Sequence, residues 1–336
     1  MRRIALVACL GALALWTALA AARTPAQNAP TFASEIARFS EPEGSFDTDN
    51  LISNERQYLR VIPALMSRGV SGGTYIGVGP DQNFSYIARI RPTHAYIVDV
   101  RRDNLLLHLL FKALFAASAT RVEYISHLTG RAPPAEGGDW TKKPIEDLLA
   151  WVDTHEASHV DALRRRLDAI VTCFGVSASS EDRDTIDRFH RTFIRQGLHL
   201  RFNTFGRAPQ PYYPSLRDLL LATDDDAHPW HFLASEDDYR FVKDLQARDA
   251  IIPVVGDVAG PHAMARIAEA IAGRGSRVSA FYLSNVETYL YRGGQWERFL
   301  DNLTRLPRDD RSVIIRSIFS GAGMSTSMVE PLVTAR

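Results

Sequence analysis

The chain has 336 residues, enough for two domains of average size or for one large domain with an insertion. Hydrophobic residues make up 46% of the sequence and charged residues 23%, which is typical of a globular protein and excludes a disordered chain. The 39 basic and 39 acidic residues give a net charge of zero, so no nucleic-acid partner is expected. Two cysteines, Cys9 and Cys173, exclude a disulfide framework and a cysteine-rich metal centre.

Residues 1–22 have the pattern of a secretory signal peptide. Arg2-Arg3 precedes an apolar run over residues 4–19, and Ala20-Ala21-Ala22 follows it. This pattern predicts cleavage after Ala20 or Ala22 and export to the periplasm or the extracellular space. The alternative is an uncleaved anchor that attaches the chain to a membrane, because the apolar run is nearly long enough to span a bilayer.

Strands and helices alternate in the predicted elements. Residues 23–48 form a polar lead with prolines, and a helix is expected between Asp49 and Gly69. Runs of β-branched and aromatic residues predict strands at 74–79, 95–100, 251–255, 278–283 and 312–319. An apolar helix is expected at 105–115 with Asp103 as its N-cap, and further helices at 239–247, 263–272 and 296–303.

This alternation predicts an α/β protein with a doubly wound, Rossmann-like and mostly parallel sheet. The α/β domain is expected to combine residues 49–117 with residues 236–325. Residues 118–235 contain no convincing strand and predict a helical insertion or cap, with helices at 145–151, 157–171 and 182–195.

Glycines and polar residues follow the first four predicted strands, where a doubly wound sheet binds its ligand. They are Gly77, Gly79, Asp81, Gln82 and Asn83 after the first strand, Asp99 after the second, Asp257 after the third, and Ser284 and Asn285 after the fourth. Glycines let the backbone approach a ligand closely, and a carboxylate about 20 residues beyond a glycine turn can accept ribose hydroxyls. The pattern predicts a site for a nucleoside-like or other small polar ligand.

Charged residues near two of these strand ends have two interpretations. Arg101, Arg102 and Asn104 could bind a carboxylate or phosphate of the ligand, or the arginines could pair with neighbouring acids. Glu287 could act as a general base or orient a substrate amine. Alternatively, it is a carboxylate in the first turn of a helix, where the helix dipole favours negative charge.

The strand-end motifs resemble those of class I S-adenosylmethionine-dependent methyltransferases. Three runs are also similar to an uncharacterised bacterial family with that predicted fold: Tyr75-Ile-Gly-Val-Gly-Pro-Asp-Gln-Asn-Phe84, Asp99-Val-Arg-Arg-Asp-Asn104 and Phe281-Tyr-Leu-Ser-Asn-Val-Glu287. The resemblance implies a methyltransferase-type sheet with adenosylmethionine as cofactor. In that fold Gly77, Gly79 and Asp99 would bind the cofactor, Asp257 would lie near its adenine, and Ser284-Asn285 beside the reacting group.

Two alternative functions remain. The segment His155-Glu156-Ala157-Ser158-His159 matches a zinc-hydrolase motif, in which two histidines on one helix face bind the metal. Charges at Asp153, Asp161 and Arg165 favour an exposed helix without metal instead. The other alternative is an exported, non-enzymatic ligand-binding protein, because export separates the chain from the cytoplasm, where adenosylmethionine is made.

Overall fold

The computed structural model describes residues 30–48, 50–205, 210, 212–319 and 325–332, and six strands of these residues form one mixed sheet. The strands are β1 (Thr74–Val78), β2 (His94–Asp99), β3 (Ile251–Val255), β4 (Val278–Ser284), β5 (Val313–Phe319) and β6 (Ser325–Pro331). Their spatial order is β3-β2-β1-β4-β5-β6, and all neighbours are parallel except β5 and β6. The protein is therefore an α/β protein with a mostly parallel sheet, compatible with a Rossmann-like fold.

The first five strands lie within one residue of their predicted bounds. Every residue of β1 and β3 is buried, as expected for parallel strands covered by helices on both faces. Strand β6, a half-exposed and mostly polar segment, was not predicted from the sequence. It pairs antiparallel with β5, from Val313 opposite Pro331 to Phe319 opposite Ser325.

Thirteen α-helices are present in the described residues. They are α1 (Phe32–Phe39), α2 (Ile62–Ser67), α3 (Gln82–Ile90), α4 (Arg102–Ala117), α5 (Arg121–Leu128), α6 (Ile145–Thr154), α7 (Val160–Cys173), α8 (Ser180–Gln196), α9 (Leu216–Leu220), α10 (Glu236–Ala247), α11 (Ala263–Gly273), α12 (Val286–Arg292) and α13 (Trp296–Arg305). Helix α4 is apolar on all sides and buried, because it packs on β3 as well as on α7 and α8.

Residues 118–235 lie between α4 and α10 in the chain and contain helices α5 to α9. Of the described residues in this segment, none belongs to the sheet. Its β-bridges are two isolated ones, Arg201 with Ser215 and Thr223 with Pro229. Helix α8 begins with a capping box, in which Ser179 and Asp182 each accept a hydrogen bond from the other's backbone N–H.

Two helical predictions are wrong in detail. The helix expected between Asp49 and Gly69 is only a short 3-10 turn at Tyr58–Val61 followed by α2, and residues 51–57 are irregular. Arg101, not Asp103, occupies the N-cap position of α4, and Asp103 lies in its first turn.

The predicted signal peptide at 1–22 lies outside the described residues. Within the described ranges, no helix is long and apolar enough to cross a membrane.

Residues 40–48 and 50–54, here called the N-terminal strap, run across the carboxyl ends of the strands. Glu41 N–H donates to the carbonyl oxygen of Val255 at the end of β3 (2.9 Å). Gly44 N–H donates to the carbonyl oxygen of Val100, just beyond β2 (2.7 Å). The segment expected to be a separate polar lead therefore covers the sheet edge where the ligand site is predicted.

Candidate functional site

A cavity of about 480 Å³ lies at the carboxyl ends of β1 to β4, beneath the N-terminal strap. The chain runs from β1 through β2 to β3 on one side, and then crosses to β4 on the other side of β1. Open α/β sheets bind ligands at such a reversal of strand order. The volume is in the range of pockets that hold small organic molecules.

About half of the predicted site residues line this cavity: Gly79, Gln82, Asp99, Arg101, Asp257, Ser284 and Asn285. They come from the ends of four strands that are far apart in the sequence. The remaining predicted residues do not line it: Gly77, Asp81, Asn83, Arg102, Asn104 and Glu287. The structure therefore separates the predicted site residues into those that line the cavity and those that make contacts elsewhere.

Gly77 and Asn83 shape the glycine loop instead of facing the cavity. The Asn83 amide Nδ2 donates to the carbonyl oxygens of Val78 (2.9 Å) and Pro80 (2.7 Å), and its Oδ1 accepts from the Tyr75 hydroxyl (2.8 Å). A Cβ added at Gly77 would lie 1.9 Å from Asn83 Oδ1. Gly77 is therefore needed to make room for Asn83, whose side chain holds the glycine loop and does not line the cavity.

His108, which the sequence analysis did not select, also holds the glycine loop. It is a buried residue of α4 whose Nε2 lies 2.9 Å from the carbonyl oxygen of Gly79. Burial lowers the pKa of His108 to about 4, so the ring is neutral at pH 7 and Nε2 carries the donated proton. A histidine within the apolar run Leu105–Phe111 was the only sequence signal for it.

Asp99 and Arg101 form a mostly buried ion pair at the end of β2. Asp99 Oδ1 accepts from the backbone N–H and the Nε of Arg101, both at 3.0 Å, and Oδ2 accepts from Nη2 at 2.7 Å. A carboxylate offers about four lone-pair positions, so one remains for a ligand. The predicted ribose-binding role of Asp99 is therefore limited to a single hydrogen bond.

Asp257 is half-buried in the turn after β3. Its Oδ1 accepts from Ala259 N–H (2.8 Å), and its Oδ2 accepts from Gln295 Nε2 (3.3 Å). Its backbone N–H donates to Glu41 of the strap (2.8 Å). Asn302 stabilises the same turn by donating to the carbonyl oxygens of Val258 and Gly260. The second oxygen of Asp257 therefore keeps accepting capacity at the cavity wall.

Two charged residues predicted for the site make ion pairs elsewhere. Arg102 donates to both carboxylate oxygens of Asp182 at 2.8 Å, at the start of α8. Glu287 accepts from Arg316 Nε at 2.7 Å, on the neighbouring strand β5. Glu287 lies in the first turn of α12, the alternative position considered for it, and its charge is paired with Arg316 outside the cavity lining.

Asn104 and Asp81 are buried near the site without lining it. The Asn104 Oδ1 has no hydrogen-bond partner among the described residues. Burial raises the pKa of Asp81 to about 7, because desolvation disfavours the carboxylate form. Neither residue is part of the cavity lining.

Aromatic residues line the cavity, and none of them was among the predicted ligand-binding residues. Phe46 of the strap packs edge-on against Tyr289 of α12, with ring centroids 5.0 Å apart. Both residues stay partly accessible to solvent, since Phe46 is 39% exposed and Tyr289 is 45% exposed. Phe202 and Tyr213 form a second edge-on pair at 4.7 Å. These residues come from three segments that only the fold brings together, so no local pattern marks them.

Glu55 and Ser284 connect the cavity wall to the interior. Glu55 is fully buried, and its two oxygens accept hydrogen bonds from the hydroxyls of Ser284 and Ser317. Burial raises the pKa of Glu55, and these hydroxyl groups partly oppose the shift. Ser284 lies at the cavity wall with a backbone φ of 54°, in the left-handed region.

The zinc-hydrolase motif does not lie on a helix. Helix α6 ends at Thr154 and α7 begins at Val160, and His159 has a left-handed backbone with φ of 53°. The ring of His155 stacks on Trp151 with centroids 3.5 Å apart. Both histidines are exposed, as expected, but the prediction of a helix across them is wrong, and they do not share a helix face.

Within the described ranges, one group of three side chains has metal-binding spacing: Asp224, Asp226 and His228. Asp224 already accepts hydrogen bonds from the backbone N–H of Asp226 and His228 and from the indole of Trp230. These bonds order a loop of the helical segment, and the group lies outside the cavity lining.

The comparison with known families places the chain in a family of unknown function. A family model described as a domain of unknown function (DUF7790) matches residues 51–331, more than four fifths of the chain. The protein belongs to this family. A search of the curated proteins finds no match. A function has to be argued from the site itself.

Proposed function

We propose that this protein binds a small polar, nucleoside-like ligand in the strand-end cavity, in the manner of a class I methyltransferase fold. The observation that carries the proposal is the position of the cavity at the reversal of strand order, with walls from the ends of β1 to β4. Ligands of open α/β sheets bind at this position because the loops that leave the strands diverge there.

The chemistry of the wall favours a planar ligand with hydrogen-bond donors. Gln82 Oε1 is buried and has no partner among the described residues, and Gln82 lines the cavity, as Asp257 does. Both groups can accept from hydroxyl or amino groups. The rings of Phe46 and Tyr213 line the same cavity and offer apolar faces to a flat base.

Group transfer has weaker support than binding. Asn285 lines the cavity, but Glu287, the predicted base, pairs with Arg316 outside it. This observation favours the non-enzymatic binding protein as the second candidate. Adenosylmethionine is the first cofactor to test, because the strand-end motifs resemble those of enzymes that use it.

Calorimetric titration of adenosylmethionine, adenosylhomocysteine and adenosine into the full chain tests the proposal. Asp257→Ala removes a charged acceptor worth about 1.5–3 kcal/mol, so we expect the affinity to fall at least tenfold. Gln82→Ala should weaken binding in the same direction. Glu287→Gln is the matched control, because it changes a carboxylate outside the cavity and should bind as the unmodified protein does.

Two results would count against the proposal. If the unmodified protein binds none of the three compounds at millimolar concentration, the nucleoside-like ligand is wrong. If Glu287→Gln weakens binding as much as Asp257→Ala does, the assignment of the cavity is wrong. Incubation with adenosylmethionine labelled in its methyl group then separates an enzyme from a binding protein.

A further inference from the structure

Ser284 and Glu55 form a hydrogen-bonded pair that the proposed ligand binding does not explain. Ser284 is the last residue of β4, and it is half-buried at the cavity wall. Its hydroxyl donates to the carboxylate of Glu55, which lies behind the wall and is fully buried. The pair therefore joins a residue of the cavity wall to an acid that solvent cannot reach.

Glu55 has no basic partner among the described residues. Hydroxyl groups of Ser284 and Ser317 donate to its two oxygens, and the Tyr282 side chain also forms a hydrogen bond with it. A buried carboxylate without a nearby cation is unfavourable, which is why such groups are concentrated at functional sites. The arrangement is typical of a group that exchanges a proton with its neighbour, and it differs from a structural ion pair.

The backbone at Ser284 is also unusual. Its φ of 54° is a left-handed conformation that disfavours side chains with a Cβ, and strained residues of this kind cluster at active sites. The strand ends at Ser284 and α12 starts at Val286, so the hydroxyl lies at a sharp turn from strand to helix. This turn places Ser284 in the cavity wall, where a residue that attacks a bound substrate would have to be.

We propose that Ser284 is a nucleophile and that Glu55 is its general base, so that the cavity cleaves esters of small polar molecules. In the first step the Ser284 Oγ bonds to the acyl carbon, and its proton moves to Glu55. The bond between the acyl carbon and the alcohol oxygen then breaks, and the alcohol leaves with that proton. Water cleaves the acyl-serine by the same route and returns the proton to Ser284.

Asn285 is placed to assist this reaction. Its side-chain Oδ1 lies 3.4 Å from Ser284 Oγ, and its carboxamide carries two N–H donors. Such donors stabilise the negative charge that develops on the acyl oxygen during attack. The inference does not depend on a nucleoside-like ligand, because the pair acts on any acyl group that reaches Ser284.

Within the pair, Glu55 is the group whose protonation changes with pH, because the neighbouring phenols stay neutral near pH 7. The titratable groups that face it are the phenols of Tyr58, Tyr75, Tyr86 and Tyr282, and burial raises the pKa of each. They therefore stay neutral near pH 7. Asp81, which also acts on Tyr58, is the other acid of this region. Since a base must be deprotonated to act, the reaction should become faster as pH rises through the pKa of Glu55.

Labelling with diisopropyl fluorophosphate tests the proposal on the full chain. The Ser284 Oγ–P bond forms as the P–F bond breaks, fluoride leaves, and the proton passes to Glu55. We expect one adduct by intact mass, mapped to Ser284 and absent from Ser284→Ala. Loss of a general base typically costs 100-fold or more, so Glu55→Gln should be labelled at least about 100-fold more slowly.

Two further variants separate catalysis from folding. Ser317→Ala keeps the pair but removes a hydroxyl that lowers the pKa of Glu55. The pH midpoint of labelling should therefore move upward, an effect that a purely structural role would not produce. Ser158→Ala changes an exposed serine far from the cavity and should be labelled as the unmodified protein is. Thermal unfolding shows whether Glu55→Gln is folded. If it is not, the change in the pH midpoint of labelling in Ser317→Ala tests whether Glu55 acts as the base.

The proposal is overturned if the folded protein gives no adduct at Ser284, if the adduct maps to another residue, or if folded Glu55→Gln reacts at the unmodified rate. An unchanged pH midpoint in Ser317→Ala also overturns it. These outcomes are independent of the titrations above. A protein that binds adenosine without labelling, or is labelled without binding adenosine, supports one proposal and contradicts the other.

Discussion

Asp99 and Arg101 are joined by two parallel hydrogen bonds across only two positions of the chain. Arg101 Nε donates to Asp99 Oδ1 at 3.0 Å and Nη2 to Oδ2 at 2.7 Å. The third guanidinium nitrogen, Nη1, donates to the carbonyl oxygen of Thr48 at 2.9 Å. The ion pair therefore links the end of β2 to the N-terminal strap, and it supports the cavity as well as lining it.

This relationship predicts that Asp99→Ala lowers stability as well as ligand binding. The side chains of Asp99 and Arg101 are only 12% and 7% exposed, so removing the acid leaves a buried guanidinium without this carboxylate. We expect the free energy of unfolding to fall by about 3 kcal/mol, measured by urea denaturation. The double variant Asp99→Ala/Arg101→Met should recover part of the loss. A single variant within 0.5 kcal/mol of the unmodified protein, roughly the scale of an ordinary surface substitution, would contradict this account.

A second prediction compares two glycines. Gly77→Ala places a Cβ against Asn83 Oδ1 and the Tyr75 ring, so it should disrupt the glycine loop and cost about 1–3 kcal/mol of unfolding free energy. Gly273→Ala is the matched control at the end of α11, where a Cβ meets nothing within 4 Å. It should be neutral or stabilising by up to about 1 kcal/mol. Equal melting temperatures for the two variants would refute the role of Gly77.

The third prediction concerns pH and Asp81. Its pKa is raised from 3.8 to about 7 in the folded protein, so between these values the folded state keeps a proton that the unfolded state has lost. This contribution to stability is complete below pH 3.8 and is lost as pH rises to about 7. Asp81→Asn removes the titration, so its stability relative to the unmodified protein should rise by about 1.4 kcal/mol per pH unit in this range. Denaturant unfolding at pH 4 to 8 measures the difference, and a constant difference would show that Asp81 does not titrate there.

A fourth prediction concerns the amino terminus. The Arg2-Arg3 start, the apolar run and the alanines predict a cleaved signal peptide. The protein isolated from its native host should therefore begin near Ala21 or Arg23, as read by N-terminal sequencing. An intact Met1 on protein from the soluble cytoplasmic fraction would contradict export.

Local sequence was a good guide to the five parallel strands and a poor guide to the sixth. A parallel strand that is covered on both faces consists of a short apolar run. Ile251–Val255 is such a run, and it can be recognised without knowing which strands pair with it. The segment Ser325–Pro331 is polar and half-exposed, and it becomes a strand because the edge of β5 offers backbone partners. Its conformation depends on a tertiary contact that no local pattern records.

The position of the site was also predictable, but the direction of its side chains was not. Parallel strands end at one edge of a sheet, so Asp99, Asp257 and Asn285 had to lie near each other once the alternation was recognised. Asn83 and Glu287 follow β1 and β4 in the same way, yet Asn83 bonds to the backbone of the glycine loop and Glu287 pairs with Arg316. Which way a side chain points after a strand depends on the turn and on partners that the sequence does not bring together.

By itself, the sequence determined the α/β class, the five parallel strands and the edge of the sheet where a ligand would bind, because each is encoded by residues adjacent in the chain. Only the tertiary structure decided how that edge is closed and what lies behind it. The N-terminal strap contacts the end of β3 across as many as 216 positions of the chain. Glu55 meets Ser284 and Ser317 across 229 and 262 residues. Contacts over such separations depend on the packing of the whole domain, which no short segment specifies.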